Sequence, residues 1–150
     1  MEIVKYQEKY KEDFIALNMA WVEKFFVMEQ ADREILEHVE ELLDQGAMIF
    51  FAVEEDKVLA TCMALPKQGD VWEICKLAAN EACQGHGAGS MVFRACMDYA
   101  IAHGAKKLTL ISNHILKPAL HIYEKFGFRQ IEVDRKEYDR ADVQCEYVVG

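Results

Sequence analysis

The sequence predicts one α/β domain, a mixed sheet of about six or seven strands covered by four helices. Three observations carry that reading: two amphipathic helical stretches near the start, two apolar runs joined by three polar residues at 47–65, and a strand, helix, strand passage over residues 71–112. The 150 residues are 52% hydrophobic and 29% charged, which is globular composition with enough chain for one core and no need of a disulfide or metal staple.

The elements follow in order. Glu2–Tyr6 reads as a short strand. Phe14, Leu17, Trp21 and Phe25 then recur at helical spacing, with Ile15, Val22 and Phe26 widening the apolar face. A second helix is predicted from about Asp32, with Ile35, Leu36, Val39, Leu42 and Leu43 on one side, ending at Gly46, where a helix terminus favours a left-handed residue. Ala47–Glu54 and Val58–Leu65, separated by Glu55, Asp56 and Lys57, predict an antiparallel hairpin, and Val71–Ala79 a long middle strand. From Ser90 to His103, Val92, Phe93, Cys96, Met97 and Ala100 keep helical spacing up to Gly104, and the β-rich Lys107–Ser112 follows. That passage implies a parallel, right-handed crossover. Pro118 suits the first turn of a last helix carrying Leu120, Tyr123 and Phe126 and stopped by Gly127, and strands near Phe128–Asp134 and Val143–Val149 close the sheet.

Charge and cysteine usage narrow the partners. Seventeen basic against 26 acidic residues give −9, which disfavours phosphate backbones and anionic membranes and mildly favours cationic partners. Cys62, Cys75, Cys83, Cys96 and Cys145 are odd in number and never spaced C-x-x-C, so they read as reduced thiols of an intracellular protein, with the cytoplasm the expected compartment. No basic start leads into an apolar run, and no apolar stretch is long enough to span a membrane. The five histidines lack metal-ligand spacing, and no metal is expected.

The chemistry concentrates in Gln84-Gly85-His86-Gly87-Ala88-Gly89, between a predicted strand and a predicted helix. Glycines let a ligand approach the backbone, and the first helical turn offers N–H groups and a positive dipole end, so the loop suits a phosphate or pyrophosphate. A dinucleotide fingerprint fails on its spacing, and a Walker loop fails because no Lys lies between Lys76 and Lys106.

This segment resembles motif A of the GNAT acetyltransferase family, Gln/Arg-x-x-Gly-x-Gly/Ala. The preceding Trp72-Glu73-Ile74-Cys75-Lys76-Leu77-Ala78-Ala79 looks like the strand that leads into that motif, and Asn113 to Phe128, ending Tyr123-Glu-Lys-Phe-Gly127-Phe128, looks like motif B. The match runs from about Ala47 to the C-terminus and implies one domain, an acetyl-CoA-binding core at 47–150 with acceptor-side helices at 1–46. It implies the acyl-CoA N-acyltransferase fold and transfer of acetyl from acetyl-CoA to a primary amine, directly within a ternary complex. The resemblance gives backbone of Leu77, Ala78 and Ala79 to the pantetheine arm of coenzyme A. Backbone N–H groups of Gln84, Gly85, His86, Gly87, Ala88, Gly89 and Ser90 fall to the pyrophosphate, Asn113 to the pantetheine, and Tyr123 to the sulfur as proton donor. Glu73, 11 residues before Gln84, takes the place of a general base. Two departures stand out: Ala79 and Glu81 replace the Val and Pro common there, and Leu116 occupies the commoner site of the motif B Asn.

Other readings stand beside these. By periodicity alone Tyr123 is a packed helix tyrosine, and Glu73 is as readily a solvated strand residue. Trp21, Phe25 and Phe26 read mostly as core with one member lining a pocket, and the acidic run Glu37, Glu40, Glu41, Asp44 as a solvated face. The acceptor expected is a small, cationic amine; a protein N-terminus or lysine, and a non-catalytic acyl-CoA sensor, are the alternatives. A homodimer is a further expectation, with Cys145–Val149 as the exposed edge.

Overall fold

The computed structural model describes residues 1–83, 87–134 and 137–150. Among them are seven strands, β1 (Glu2–Lys5), β2 (Met48–Glu54), β3 (Lys57–Pro66), β4 (Val71–Ala79), β5 (Lys107–Ser112), β6 (Arg129–Ile131) and β7 (Val143–Val148), and five helices, α1 (Lys11–Phe25), α2 (Gln30–Leu36), α3 (Val39–Asp44), α4 (Ala88–Ala102) and α5 (Lys117–Lys125). The strands form one sheet in the order β1-β2-β3-β4-β5-β7-β6. Every pairing is antiparallel except β4 with β5, which α4 joins as a crossover. No helix among the described residues is long and apolar enough to cross a membrane.

Period-two alternation divides the strands between two cores. Phe50, Ala52, Cys62, Ala64, Trp72 and Ile74 pack with α4 and α5, while Ile49, Phe51, Val53, Met63 and Leu65 pack with the α1–α3 side. Glu55 and Asp56, the two residues between paired Glu54 and Lys57, have φ of 49° and 65°, the left-handed conformations that a two-residue hairpin turn requires.

Two expectations need correction. The single second helix is two, because the His38 ring contacts the Glu34 carbonyl at 2.9 Å while the His38 amide turns to Ile35, so the side chain takes the place of the next helical bond. The exposed edge is not Cys145–Val149 either. β7 lies between β5 and β6, since the short β6 pairs back onto Glu146, Cys145 and Gln144.

The site owes its position to the middle of the sheet. β4 and β5 are paired only at Val71/Lys107, Trp72/Leu108 and Glu73/Thr109, and beyond those rungs β5 stays with β7 while β4 continues beside β3 to Ala79. Their C-terminal halves therefore diverge and open a cleft through the sheet. β4 also carries a bulge, Lys76 and Leu77 opposing Cys62 alone, with Lys76 at φ 54°. Such a conformation costs a non-glycine residue about 1–3 kcal/mol, so the surroundings must hold it.

Candidate active site

A cavity of about 370 Å³ fills the cleft between the diverging strands, lined by Glu73 to Ala79 on one side and Ile111, Ser112 and Asn113 on the other. Helix α5 closes one end with Ala119, Ile122 and Tyr123, and α1 closes the other with Trp21 and Phe25. The proposed pantetheine strand and both candidate catalytic side chains thus share one cavity.

Tyr123 is 8% exposed, its ring 5.4 Å from that of Phe93. Burial pushes its phenol well above the ordinary value of 10, against the opposing hydrogen bond with Ser112, so it holds its proton throughout the neutral range. Glu73, 4% exposed, stands where the β4/β5 pairing ends, with Lys67 Nζ at 3.3 Å from its carboxylate. It faces the α1–α3 side, opposite Trp72 and Ile74, so a solvated strand residue does not describe it.

Leu77, Ala78 and Ala79 form the cavity wall beyond the last β4/β5 rung, placing their backbone where a further strand-like ligand can lie. Gln84, Gly85 and His86 lie outside the described residues. Gly87 caps α4 with φ 79°, and a Cβ there would meet nothing within 4 Å. Ala88, Gly89 and Ser90 form the first turn of α4, whose N–H groups have no intrahelical partners and so suit an anion. A Cβ on Gly89 would sit 3.4 Å from Ile122 Cδ1, so this glycine lets α5 approach α4 beside the cavity.

Asn113 lines the cavity too, but its amide serves the protein's own backbone. Nδ2 donates to the Arg140 carbonyl at 2.6 Å and Oδ1 accepts from the Ile115 amide at 2.9 Å. Trp21 and Phe25 both line the cavity, Phe25 at 45% exposure, whereas the sequence suggested one such aromatic.

Sequence reasoning missed a buried ionic cluster at the α1–α2 end. Asp32, fully buried at the start of α2, accepts from Lys76 Nζ at 2.7 Å and from both terminal nitrogens of Arg140, at 2.8 and 2.6 Å. Lys76 also donates to Tyr138 Oη at 3.1 Å, and the Arg140 guanidinium lies 4.4 Å from the Tyr138 ring centre and 5.3 Å from that of Trp21. Glu29 caps α2 and accepts from the Asp139 amide at 2.7 Å, tying the segment before β7 to the same helix. The cluster anchors the side chain of Lys76, the residue at the left-handed position of the bulge.

A model of the acetyltransferase (GNAT) family matches residues 8–128. No curated protein matches the sequence. Among solved structures, a GNAT-family acetyltransferase from Staphylococcus aureus Mu50 superposes with a TM-score of 0.88 at 15% identity, covering 98% of each chain. A ribosomal-protein-alanine N-acetyltransferase from Brucella melitensis gives 0.78 at 14% identity, over 99% of this chain and 100% of that one. An aminoglycoside 6'-N-acetyltransferase complexed with coenzyme A gives 0.74 at 17% identity, over 99% and 97%.

Proposed function

Because the chain belongs to the GNAT acetyltransferase family, we propose that it is an acetyl-CoA-dependent N-acetyltransferase, a single catalytic domain acting on the primary amine of a small molecule by direct transfer in a ternary complex. The observation that carries this reading is the cleft itself. It joins the two faces of the sheet and brings Tyr123 and Glu73 to one cavity from opposite sides.

The residues fit the cosubstrate. The wall at Leu77–Ala79 offers backbone to an extended arm, the first turn of α4 offers N–H groups to a pyrophosphate, and Leu77, Phe93, Ile111 and Ile122 give apolar lining. A structural neighbour holding coenzyme A supports the assignment. Acetyl-CoA would supply a thioester-activated acetyl group, and the second proton lost by the attacking nitrogen would balance the thiolate that leaves as the C–S bond breaks. Tyr123 donates a hydrogen bond to that sulfur, and Ser112 orients the phenol. Glu73 accepts the proton of the incoming ammonium, directly or through water, and Lys67 positions its carboxylate. The second N–H of the Asn113 amide is the group that would reach the pantetheine.

Calorimetric titration with acetyl-CoA tests the reading. We expect saturable micromolar binding by the wild type, and loss of about tenfold or more in Gly87→Glu. The new side chain has room, so the fold is kept at a cost of about 1–2 kcal/mol for its left-handed backbone, while its charge repels phosphate. A folded wild type that binds no acetyl-CoA would overturn the proposal.

Glu73→Gln tests the base. Its kcat/KM at pH 7 should fall about 100-fold, and the deficit should shrink toward pH 10, where the acceptor amine loses its proton unaided. A deficit constant with pH would remove Glu73 from proton transfer.

A further inference from the structure

We infer that Lys76, Arg140 and Tyr138 form an anion subsite at the α1–α2 end of the cleft, and that the acceptor is an amine bearing a carboxylate, as an amino acid does. The inference rests on the acetyl-transfer reading and specifies its acceptor.

The charge around the cavity differs from that of the chain. Overall, 26 acidic residues face 17 basic ones, yet among the described residues the charged ones lining the cavity are Lys24, Lys76 and Arg140 against Glu73 and Glu81. Lys24 and Glu81 pair with each other at the exposed rim. The acidic run Glu37, Glu40, Glu41 and Asp44 lines no part of the cavity, and its Glu40 pairs with Lys11 at 2.7 Å. A net charge of −9 is therefore a poor guide to what enters the cleft.

Within the buried cluster, order matters. Lys76 and Arg140, with side chains 3% and 11% exposed, both line the cavity, whereas their shared counter-ion Asp32 does not. Arg140 also pairs with Glu29 at 3.5 Å, and neither carboxylate lines the cavity, so both anions lie behind the two cations. Asp32 takes one donor from each terminal nitrogen of Arg140, which has five N–H groups in all, and one of the three on Lys76. The guanidinium is held by its two bonds to Asp32 and lies over the rings of Tyr138 and Trp21, so its position is set before any ligand arrives. Tyr138 adds a neutral donor. Lys76 occupies its oxygen, burial keeps the phenol protonated, and the residue lines the cavity. Two cations and a hydroxyl donor thus stand at the end where Glu73 awaits an ammonium, and Trp21 and Phe25 offer an apolar wall to a side chain.

The test uses the wild-type protein and the common amino acids, each compared with its amide and its decarboxylated amine at pH 8 by the rate of free thiol release. The α-amine of an amide is less basic and more of it is free, so intrinsic reactivity favours the amide. We expect the carboxylate nonetheless to win by about tenfold or more in kcat/KM for the best amino acid. Amides or decarboxylated amines that match or exceed it would overturn the inference. Arg140→Ala would leave Asp32 short of a partner and endanger the fold, so Tyr138→Phe serves as the variant. It should raise KM for the amino acid about tenfold and leave KM for its amide and for acetyl-CoA unchanged. Where no compound is turned over, calorimetry with the N-acetyl amino acids decides. Failure of all of them to bind overturns the subsite, and it leaves the acetyl-transfer reading standing if acetyl-CoA itself still binds.

Discussion

Asp32→Ala should lower the stability of the protein by about 3–5 kcal/mol, seen as a fall in the urea midpoint at pH 7. The change strands Lys76, its side chain 3% exposed, and takes from Arg140, at 11%, its bidentate partner, leaving it Glu29 at 3.5 Å, around a carboxylate that is itself fully buried. Burial alone would raise the Asp32 carboxyl, but hydrogen bonds from Arg140 and Lys76, with the Lys76 charge, bring it from the ordinary 3.8 down to about 2. A carboxyl depressed by folding stabilises the native state in full above its unfolded value, and the contribution disappears as pH falls from about 4 to 2. That difference corresponds to about 2 kcal/mol, present in the wild type and absent from the variant. Asp32→Asn keeps the shape and removes the charge, and should show most of the loss. Equal midpoints for wild type and both variants would show that the cluster contributes nothing to holding the β4 bulge.

That cluster also marks where sequence reading stopped. β4 and β5 were predicted with their observed bounds and α4 to within two residues, because their apolar periods are long and their ends carry glycines or polar residues. Tyr123 and the wall at Leu77–Ala79 were named through the family resemblance, and both line the one cavity. Asp32, by contrast, read only as the start of a helix, and Lys76 only as a strand residue. Their contact spans 44 residues and that of Asp32 with Arg140 spans 108, so no local period records either. The signal available was a Lys in the middle of a strand that is apolar but for Glu73, an inward charge that must find a partner. The bulge that aims it inward has no glycine to announce it, since Lys76 itself adopts the left-handed conformation. The break between α2 and α3 escaped for a similar reason: the apolar spacing runs on through His38, and only the ring's contact with Glu34 interrupts the helix.

Tyr123→Phe should reduce kcat about 100-fold with acetyl-CoA affinity nearly unchanged, as measured by steady-state kinetics and calorimetry on the same preparation. The ring keeps its place against Phe93, so the cavity wall survives and only the hydroxyl is lost. The size of the effect follows from the acidity of the group. A thiol of about 8.5 is a stronger acid than an ordinary tyrosine of about 10, and burial weakens this phenol further, so full transfer of its proton to the departing thiolate runs uphill. In the proposed mechanism Tyr123 therefore serves chiefly as a fixed hydrogen-bond donor to the developing negative charge on sulfur, as one donor of an oxyanion hole acts on oxygen. The distinction is measurable. An acid that loses its proton in the transition state would give the wild type a solvent isotope effect that the variant lacks, whereas a static donor leaves that effect alike in both. Acyl donors with more acidic thiols need the donor less and should narrow the gap between wild type and variant. A variant with wild-type kcat on acetyl-CoA would remove Tyr123 from the chemistry and leave it as the packed helix residue that its spacing alone suggests.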